Sequence, residues 1–210
     1  MSQLSKYKHV KGLGRGAFGS ATLVELRSNR SKKYVVKEID LPPLHEDEIP
    51  LAKAEAEVLK NMNHSNITTC IESFVKGRKL YIVMENADGG DLFSAIESRR
   101  RNNDHWKEDE VLHLFAQMCF ALQHAHSAHV LHRDIKPQNI FLTDKGVIKL
   151  GDFGASKVLE ATNAQARTRT GTHEYMSPEI FQLKPYGSAC DVWSLGVVLY
   201  QMLALDLPFP

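Results

Sequence analysis

Apolar residues in the first half of the chain occur in short segments that are separated by glycine-rich or polar turns. These segments predict strands at residues 7–13, 21–26 and 34–39, with a polar turn at residues 27–32 before the third. A short apolar run at residues 80–84 has the composition of a buried strand. We therefore expect the first half of the chain to be mostly β-sheet.

One helix is predicted among these strands, over residues 50–62. Pro50 suits its first position, where the missing N–H group of proline needs no acceptor. Apolar side chains recur at the helical period and share one face with Glu55; they are Leu51, Val58, Leu59 and Met62. A carboxylate on an apolar face needs a partner, so Glu55 is a candidate for an ion pair.

The second half of the chain changes to the helical period. Helices are predicted at residues 92–101 and 111–128, and a small hairpin is predicted to pair residues 140–142 with 147–150. Residues 192–205 form the most apolar stretch, but it is too short and too interrupted to span a bilayer. We expect a buried helix there.

Composition and charge narrow the class of protein. The sequence has 210 residues, 26 Lys plus Arg, 25 Asp plus Glu and a formal net charge of +1. The length suits one domain or two small lobes, and 43% hydrophobic residues exclude wholesale disorder. The near-neutral charge argues against nucleic acid as a partner, and no segment suggests a membrane partner or a signal peptide. Three scattered cysteines predict a reducing, intracellular compartment.

A glycine-rich turn, Gly14-Arg15-Gly16-Ala17-Phe18-Gly19, lies between the first two predicted strands. The pattern alone is a weak signal, because it also occurs in dinucleotide-binding folds and in plain hairpins. A dinucleotide site would be followed by a helix, whereas here a strand follows. Backbone N–H groups without side chains can close over phosphates, so we interpret the turn as a phosphate-binding loop. A plain hairpin is the alternative.

Lys37 ends the third predicted strand among apolar neighbours, so its ammonium group needs an anion. The inward-facing carboxylate of Glu55 can supply one. Without such a partner, Lys37 would be an ordinary strand-end lysine. With it, Lys37 is a candidate anchor for a phosphate group.

The most informative segment, which we name the catalytic passage, is His132-Arg133-Asp134-Ile135-Lys136-Pro137-Gln138-Asn139. Asp134 can accept a proton from an attacking hydroxyl, Lys136 can neutralise charge on a transferred phosphoryl group, and Asn139 can bind a metal. Asp152-Phe153-Gly154 follows a predicted strand, where a carboxylate can hold Mg²⁺ against phosphate oxygens. Together with the glycine loop and Lys37, these passages indicate phosphoryl transfer.

Four histidines near this passage suggest a zinc site as another interpretation. They are His124, His126, His129 and His132. They cross a predicted helix end rather than share one face, and the catalytic passage already accounts for the last of them. We therefore do not predict a zinc site.

The motifs, in this order, resemble those of the eukaryotic protein kinases over nearly the whole chain. Lys136 and Gly171-Thr172 resemble the serine/threonine branch. Several phrases are similar to the NIMA-related (NEK) kinases, among them Tyr34-Val-Val-Lys-Glu-Ile, Leu80-Tyr-Ile-Val-Met-Glu and His132-Arg-Asp-Ile-Lys-Pro-Gln-Asn-Ile-Phe-Leu. The resemblance implies a protein serine/threonine kinase that uses ATP and Mg²⁺. Its partners would be protein substrates, and its location the cytoplasm, with cytoskeletal or nuclear association also open.

The same resemblance implies an α+β fold with two lobes. Residues 1–85 would form an N-terminal lobe, which is an antiparallel sheet plus one helix. Residues 86–210 would form a mainly helical C-terminal lobe that carries the catalytic passage and the activation segment. Because the family continues into further helices, we expect a kinase domain that is truncated after Pro210.

Roles in nucleotide binding carry over to the matching positions of this sequence. By resemblance, the glycines of the loop would cover the ATP phosphates; they are Gly14, Gly16 and Gly19. Lys37, held by Glu55, would reach the α- and β-phosphates. The positions expected around the adenine and at the hinge are Leu13, Val35, Met84, Glu85, Ala87 and Leu142.

Roles in catalysis carry over in the same way. Asp134 would be the catalytic base, with Lys136 beside it. Asn139 and Asp152 would hold Mg²⁺, and Asp191 would tether the backbone of the catalytic passage from the next helix.

Residues 156–172 contain few core residues, which predicts a mobile surface loop. By resemblance, Thr168 matches the activation-loop phosphosite of the NIMA-related kinases, and Thr170 is the alternate site. A phosphate on Thr168 could pair with Arg133 and order the loop.

Two departures from the family pattern stand out. Ala21 replaces the valine that usually packs beneath the adenine in the family. His173-Glu174 replaces a proline and an aromatic residue. Neither removes a catalytic group. The alternative function is a truncated, catalytically weak kinase-like binding or scaffold module, because Glu179 normally pairs with an arginine beyond Pro210.

Overall fold

The chain forms two units in the computed structural model. Of the described residues, the first unit contains those up to Asn63 together with Thr69–Asn86, and the second contains His64–Thr68 and those from Ala87 onwards. The predicted lobe boundary between residues 85 and 86 stays a prediction. The structure describes residues 3–16, 19–41, 60, 62–153 and 173–209.

The first unit is a five-stranded antiparallel sheet with the strand order β1-β2-β3-β5-β4. A 3₁₀ turn, Gln3–Lys6, precedes it. The four predicted strands are present, each extended at one or both ends, and the antiparallel sheet is confirmed. The strands are β1 Tyr7–Gly16, β2 Gly19–Leu26, β3 Asn29–Asp40, β4 Cys70–Lys76 and β5 Lys79–Glu85.

Strand β4 was not predicted from the sequence. It lies at the edge of the sheet of described strands and pairs there with β5, from Cys70 opposite Met84 to Lys76 opposite Lys79. Most of its side chains are only half-buried on either face. An edge strand of this kind has no clean alternation of apolar and polar residues, which is why the pattern missed it.

A small core on one face of the sheet is closed by a polar contact between the two edge strands. Its buried members are Tyr7, Val24, Val36 and Val83. The Tyr7 hydroxyl donates to Glu72 Oε1 at 2.5 Å, and Lys6 Nζ lies 2.8 Å from Glu72 Oε2. Burial, with the Glu72 carboxylate, raises the pKa of Tyr7, so the phenol remains a donor.

The glycine turn joins β1 to β2 in an antiparallel pair, as the sequence predicts. Gly16 lies opposite Gly19 in the register. Gly19 has a φ of +150°, and a Cβ atom there would overlap the carbonyl oxygen of Glu38 on β3. Only glycine therefore fits where β2 approaches β3. A Cβ atom on Gly14 would meet no described atom within 4 Å.

The second unit is mainly helical, with one two-stranded hairpin. Asp91 begins the first helix by accepting the Ser94 N–H at 2.7 Å. The predicted helices and hairpin are confirmed. The helices are α1 Leu92–Asn102, α2 Glu108–Ser127, α3 Pro178–Phe181 and α4 Ala189–Ala204; the strands are β6 Ile140–Leu142 and β7 Ile148–Leu150; short 3₁₀ turns are Pro137–Asn139 and His173–Tyr175.

The segment His64–Thr68 joins the second unit through β7. The Leu150 N–H donates to the Asn66 carbonyl at 2.8 Å, and the Thr68 N–H donates to the Leu150 carbonyl at 2.9 Å. Asn66 Nδ2 also donates to Gln117 Oε1 of α2 at 2.8 Å. The segment therefore fixes β7 against α2, and β7 leads directly to Asp152.

Helix α4 corresponds to the apolar helix predicted at residues 192–205. Only one face is buried, through side chains that include Leu195, Val198 and Met202. The other face leaves large apolar side chains exposed, which are Val192, Trp193, Tyr200 and Leu203. In the described part of the chain, no helix combines the length and the apolar character needed to cross a membrane.

Two predicted features fall outside the described residues. They are most of the helix at residues 50–62, with Glu55, and the loop at residues 156–172, with Thr168 and Thr170.

The close approach at Gly19 gives a stability prediction. Gly19→Ala is expected to lower the free energy of unfolding by about 2 kcal/mol or more, because β2 or β3 must shift to admit the methyl group. Gly14→Ala is the matched control and is expected to change it by less than about 1 kcal/mol. Urea denaturation of both variants measures this. Equal stability of the two variants would contradict the assignment of Gly19 to strand packing.

Candidate active site

The catalytic passage links the end of α2 to β6, and its histidine is part of the core. His132 is 1% exposed, and its ring lies 4.5 Å from the Phe153 ring. Its Nε2 donates to the Gly151 carbonyl at 2.7 Å, and its Nδ1 accepts the Asp134 N–H at 3.3 Å. One ring nitrogen donates and the other accepts, so the imidazole is neutral. Burial lowers the pKa of His132, in agreement with this pattern.

Asp191 holds the backbone of the passage from α4. Its Oδ2 accepts the His132 N–H at 2.9 Å and its Oδ1 accepts the Arg133 N–H at 2.7 Å. His126 Nε2, at the end of α2, donates to Oδ2 at 2.8 Å. The predicted tether by Asp191 is confirmed, whereas the part of His126 was missed because the sequence showed it only as one of four clustered histidines.

Asp134, Lys136 and Asn139 are brought together as the sequence predicts. Lys136 Nζ lies 2.7 Å from Asp134 Oδ2. Asn139 Nδ2 donates to the same oxygen at 3.0 Å and to the Asp134 carbonyl at 2.8 Å. These contacts fix the direction of the carboxylate. Among the described residues, no hydrogen bond or ion pair engages the other oxygen, Oδ1.

Asp152 lies immediately after β7, at the level of Asn139. The Gly151 N–H donates to the Asn139 carbonyl at 2.9 Å, which holds the two segments together. Asp152 has a φ of +61°, in the left-handed region, and the next side chain, Phe153, is buried. The nitrogen of the Asn139 amide faces Asp134, so its oxygen is turned elsewhere. An amide oxygen and a carboxylate on adjoining segments are the hard donors that Mg²⁺ prefers, so these residues fit the ion.

Four of the predicted nucleotide positions of the first unit lie on one face of the sheet, and they are Gly14, Val35, Lys37 and Met84. Lys37 lies opposite Ala21, and Ala21 lies opposite Gly14, so the three form a row across β3, β2 and β1. Val35, two residues before Lys37, lies opposite Met84 of β5. Residues directly paired across antiparallel strands, and residues two apart along one strand, point to the same side.

Leu13 and Glu85 complete the predicted positions on the first unit. Leu13 is 48% exposed, beside an irregularity in the β1–β2 register. Glu85 Oε1 accepts the Thr69 N–H at 2.7 Å, and the Glu85 N–H donates to the Thr69 carbonyl. The Glu85 side chain therefore fixes Thr69, directly before β4 begins.

Leu142 lies in the second unit, at the end of β6, and pairs there with the segment that follows Ala87. The Gly89 N–H donates to the Leu142 carbonyl at 2.8 Å, and the Leu142 N–H donates to the Gly90 carbonyl at 2.8 Å. A Cβ atom on Gly89 would lie 2.8 Å from the Leu142 carbonyl oxygen. Glycine is therefore required for this close pairing, a role that its sequence pattern alone did not predict.

Comparison with known proteins agrees with this geometry. The protein kinase domain family model matches residues 7–210. Serine/threonine-protein kinase Nek1 of Mus musculus and Nek5 of Homo sapiens are each 44% identical to the chain over 98% of its length. Nek3 of Mus musculus is 41% identical over 98%. The chain belongs to the NIMA-related serine/threonine protein kinases. It spans 17%, 29% and 39% of these three relatives respectively.

The kinase forms a 3₁₀ turn at His173-Glu174, where its sequence departs from the family pattern. The turn His173–Tyr175 is held to α4 by two hydrogen bonds. The Tyr175 hydroxyl donates to Gln201 Oε1 at 2.5 Å, and Ser194 Oγ donates to the Tyr175 carbonyl at 2.7 Å. Burial raises the pKa of Tyr175 to about 12, so the phenol remains a donor.

The neutral, buried His132 gives a prediction for the pH dependence of the kinase's stability. Its pKa is lowered in the folded state, so the unfolded chain binds the proton more readily near the ordinary value of 6.5. The free energy of unfolding is therefore expected to fall as the pH drops below about 6.5, by at most about 1.4 kcal/mol per pH unit for this group. Burial also lowers the pKa of His64, which contributes with the same sign.

Urea unfolding between pH 7.5 and 5.5 tests this on the kinase and on His132→Leu. The variant is expected to be less stable at neutral pH but to lose less stability on acidification. An unchanged pH dependence in His132→Leu would show that His132 is not the titrating group.

Proposed function

We propose that the chain is an active, ATP-dependent kinase that transfers the γ-phosphate of ATP to serine and threonine hydroxyls of proteins. The observation that carries the proposal is the set of contacts on the Asp134 carboxylate. Lys136 and Asn139 engage one carboxylate oxygen, and the neighbouring backbone is fixed by Asp191. A carboxylate that is already oriented in this way can accept a proton from an attacking hydroxyl without a further entropy cost for its own orientation.

Asp134 accepts the proton of the attacking hydroxyl while the new oxygen–phosphorus bond forms. The bond between the γ-phosphorus and the bridging oxygen to the β-phosphorus breaks, and ADP leaves. Lys136, within ion-pair distance of Asp134, supplies positive charge beside the phosphoryl group as it moves. Phosphoryl transfer of this kind needs positioning and charge stabilisation more than covalent chemistry, which is what these residues offer.

Asn139 and Asp152 would hold Mg²⁺. When bound, the ion neutralises negative charge on the phosphate oxygens. The positive φ of Asp152 and the hydrogen bond between Gly151 and Asn139 keep the two ligand residues on adjoining, ordered segments.

The face of the sheet with Lys37 would hold the nucleotide. Gly14, Gly16 and Gly19 would cover the phosphates, and Lys37, with Glu55, would anchor them. Gly19 is already required by strand packing, whereas no described neighbour requires a glycine at Gly14. Leu13, Val35, Met84, the Glu85 to Ala87 hinge and Leu142 would surround the adenine.

We further propose that a phosphate on Thr168, or alternatively on Thr170, activates the kinase by pairing with Arg133. Its substrates would be proteins rather than nucleic acids or membranes. The cytoplasm is the proposed location, and the supporting feature is the scattered spacing of the three cysteines in the sequence.

Loss of the base tests the proposed reaction. Asp134→Asn is expected to lower the rate of radiolabelled phosphate transfer from ATP to a basic protein substrate by about 100-fold or more. Binding of ATP should persist. Asp144→Asn, in the exposed turn between β6 and β7, is the matched control and should keep full activity. Mass spectrometry of the active protein should find phosphate on Thr168.

Equal transfer by the wild-type chain and Asp134→Asn would overturn the proposed reaction. ATP binding without transfer in both would favour the alternative, a catalytically weak binding module.

A further inference from the structure

Arg133, directly before the proposed base, has an unusual backbone. Its φ is +67°, in the left-handed region that residues with a side chain rarely adopt. Such a conformation persists only where the surroundings hold it in place. The next residue is Asp134, so any relaxation of Arg133 would change the direction of the catalytic carboxylate.

One hydrogen bond restrains the backbone of Arg133. The Arg133 N–H donates to Asp191 Oδ1 at 2.7 Å, and Asp191 is 1% exposed near the start of α4. This bond fixes the amide group of Arg133.

A cation–π contact restrains the side chain of Arg133. The guanidinium carbon of Arg133 lies over the Tyr186 ring, 5.5 Å from its centroid. A cation within about 6 Å of an aromatic ring face is attracted by the ring quadrupole. Neither the proposed reaction nor the proposed nucleotide site explains this contact.

Tyr186 itself lies between two backbone hydrogen bonds of the segment that leads to α4. Before it, the Lys184 N–H donates to the Glu179 carbonyl at 2.8 Å, and Pro185 restricts the backbone. After it, the Cys190 N–H donates to the Gly187 carbonyl at 3.2 Å. Tyr186 and Asp191 are five residues apart, so one short segment of the chain contacts both the backbone and the guanidinium of Arg133.

We propose that Tyr186 is a positioning residue for phosphoryl transfer. Its ring holds the Arg133 guanidinium, and through Arg133 it keeps Asp134 aimed at the substrate hydroxyl. This inference rests on the proposed kinase activity, and it adds a residue outside the catalytic passage to the machinery.

The activity test compares Tyr186 with Tyr200, which is 47% exposed on α4 and has no recorded ring or cation contact among the described residues. Tyr186→Leu is expected to lower kcat about fivefold with little change in the KM for ATP. Tyr186→Phe keeps the ring and should retain kcat within about twofold. Tyr200→Leu should match the wild type.

A double-mutant cycle with Arg133→Met separates positioning from a general structural effect. If Tyr186 acts through Arg133, the fivefold effect of Tyr186→Leu should nearly vanish in the Arg133→Met background. An equal fivefold loss in both backgrounds would overturn the proposal.

Fluorinated phenylalanines at residue 186 keep the shape of the ring while weakening its quadrupole, so these variants should fold as Tyr186→Phe does. The proposal expects kcat to fall stepwise with the number of fluorines at residue 186 and not at residue 200. A flat series at residue 186 would contradict it.

A measurement without catalysis distinguishes failure of this inference from failure of the proposed function. In NMR spectra, the Arg133 side-chain protons should be shifted upfield by the ring in the wild type and in Tyr186→Phe, but not in Tyr186→Leu. Upfield shifts in an inactive wild-type chain would refute the proposed activity while retaining the contact. Unshifted Arg133 protons would refute the contact itself.

Discussion

The buried carboxylate of Asp191 is the constraint on which the catalytic passage depends. A charge that is 1% exposed is costly unless donors surround it, and this one has the N–H groups of His132 and Arg133 and the ring of His126. The same bonds that compensate the charge fix two consecutive backbone amides. The second amide belongs to Arg133, the residue before Asp134. The hydrogen bonds that offset the cost of burying Asp191 therefore also position the proposed base.

From that point the site extends along the chain by short-range contacts. His132 connects the passage to Gly151 and Phe153, Asn139 connects Asp134 to the segment that carries Asp152, and Asn66 and Gln117 hold β7 against α2. Two residues with positive φ, Arg133 and Asp152, lie within this network. Unfavourable backbone conformations at both proposed catalytic segments are thus supported by core contacts rather than by a substrate.

How much the sequence predicted depends on whether a feature is local. The spacing of Asp134, Lys136 and Asn139 is set by one short segment, so their juxtaposition was predicted correctly, and strongly periodic helices were found close to their true bounds. Features set by distant contacts were not predictable. Strand β4 has a weak pattern because it is an edge strand, Glu85 turns its side chain to Thr69, and His126 gains its role only when α4 presents Asp191. Gly19 matched a phosphate-loop motif, yet the Glu38 carbonyl on β3 already requires a glycine there.

The most direct test of this account is hydrogen exchange at the His132 and Arg133 amides in Asp191→Asn, with Asp206→Asn as an exposed control. An asparagine turns an NH₂ group towards either the His132 and His126 donors or the Arg133 N–H, so at least one amide loses its acceptor. We expect at least about tenfold faster exchange at one or both amides, a similar loss of phosphate transfer and normal behaviour in the control. Unchanged exchange at both amides in a folded Asp191→Asn protein would contradict the claim that Asp191 holds the catalytic passage.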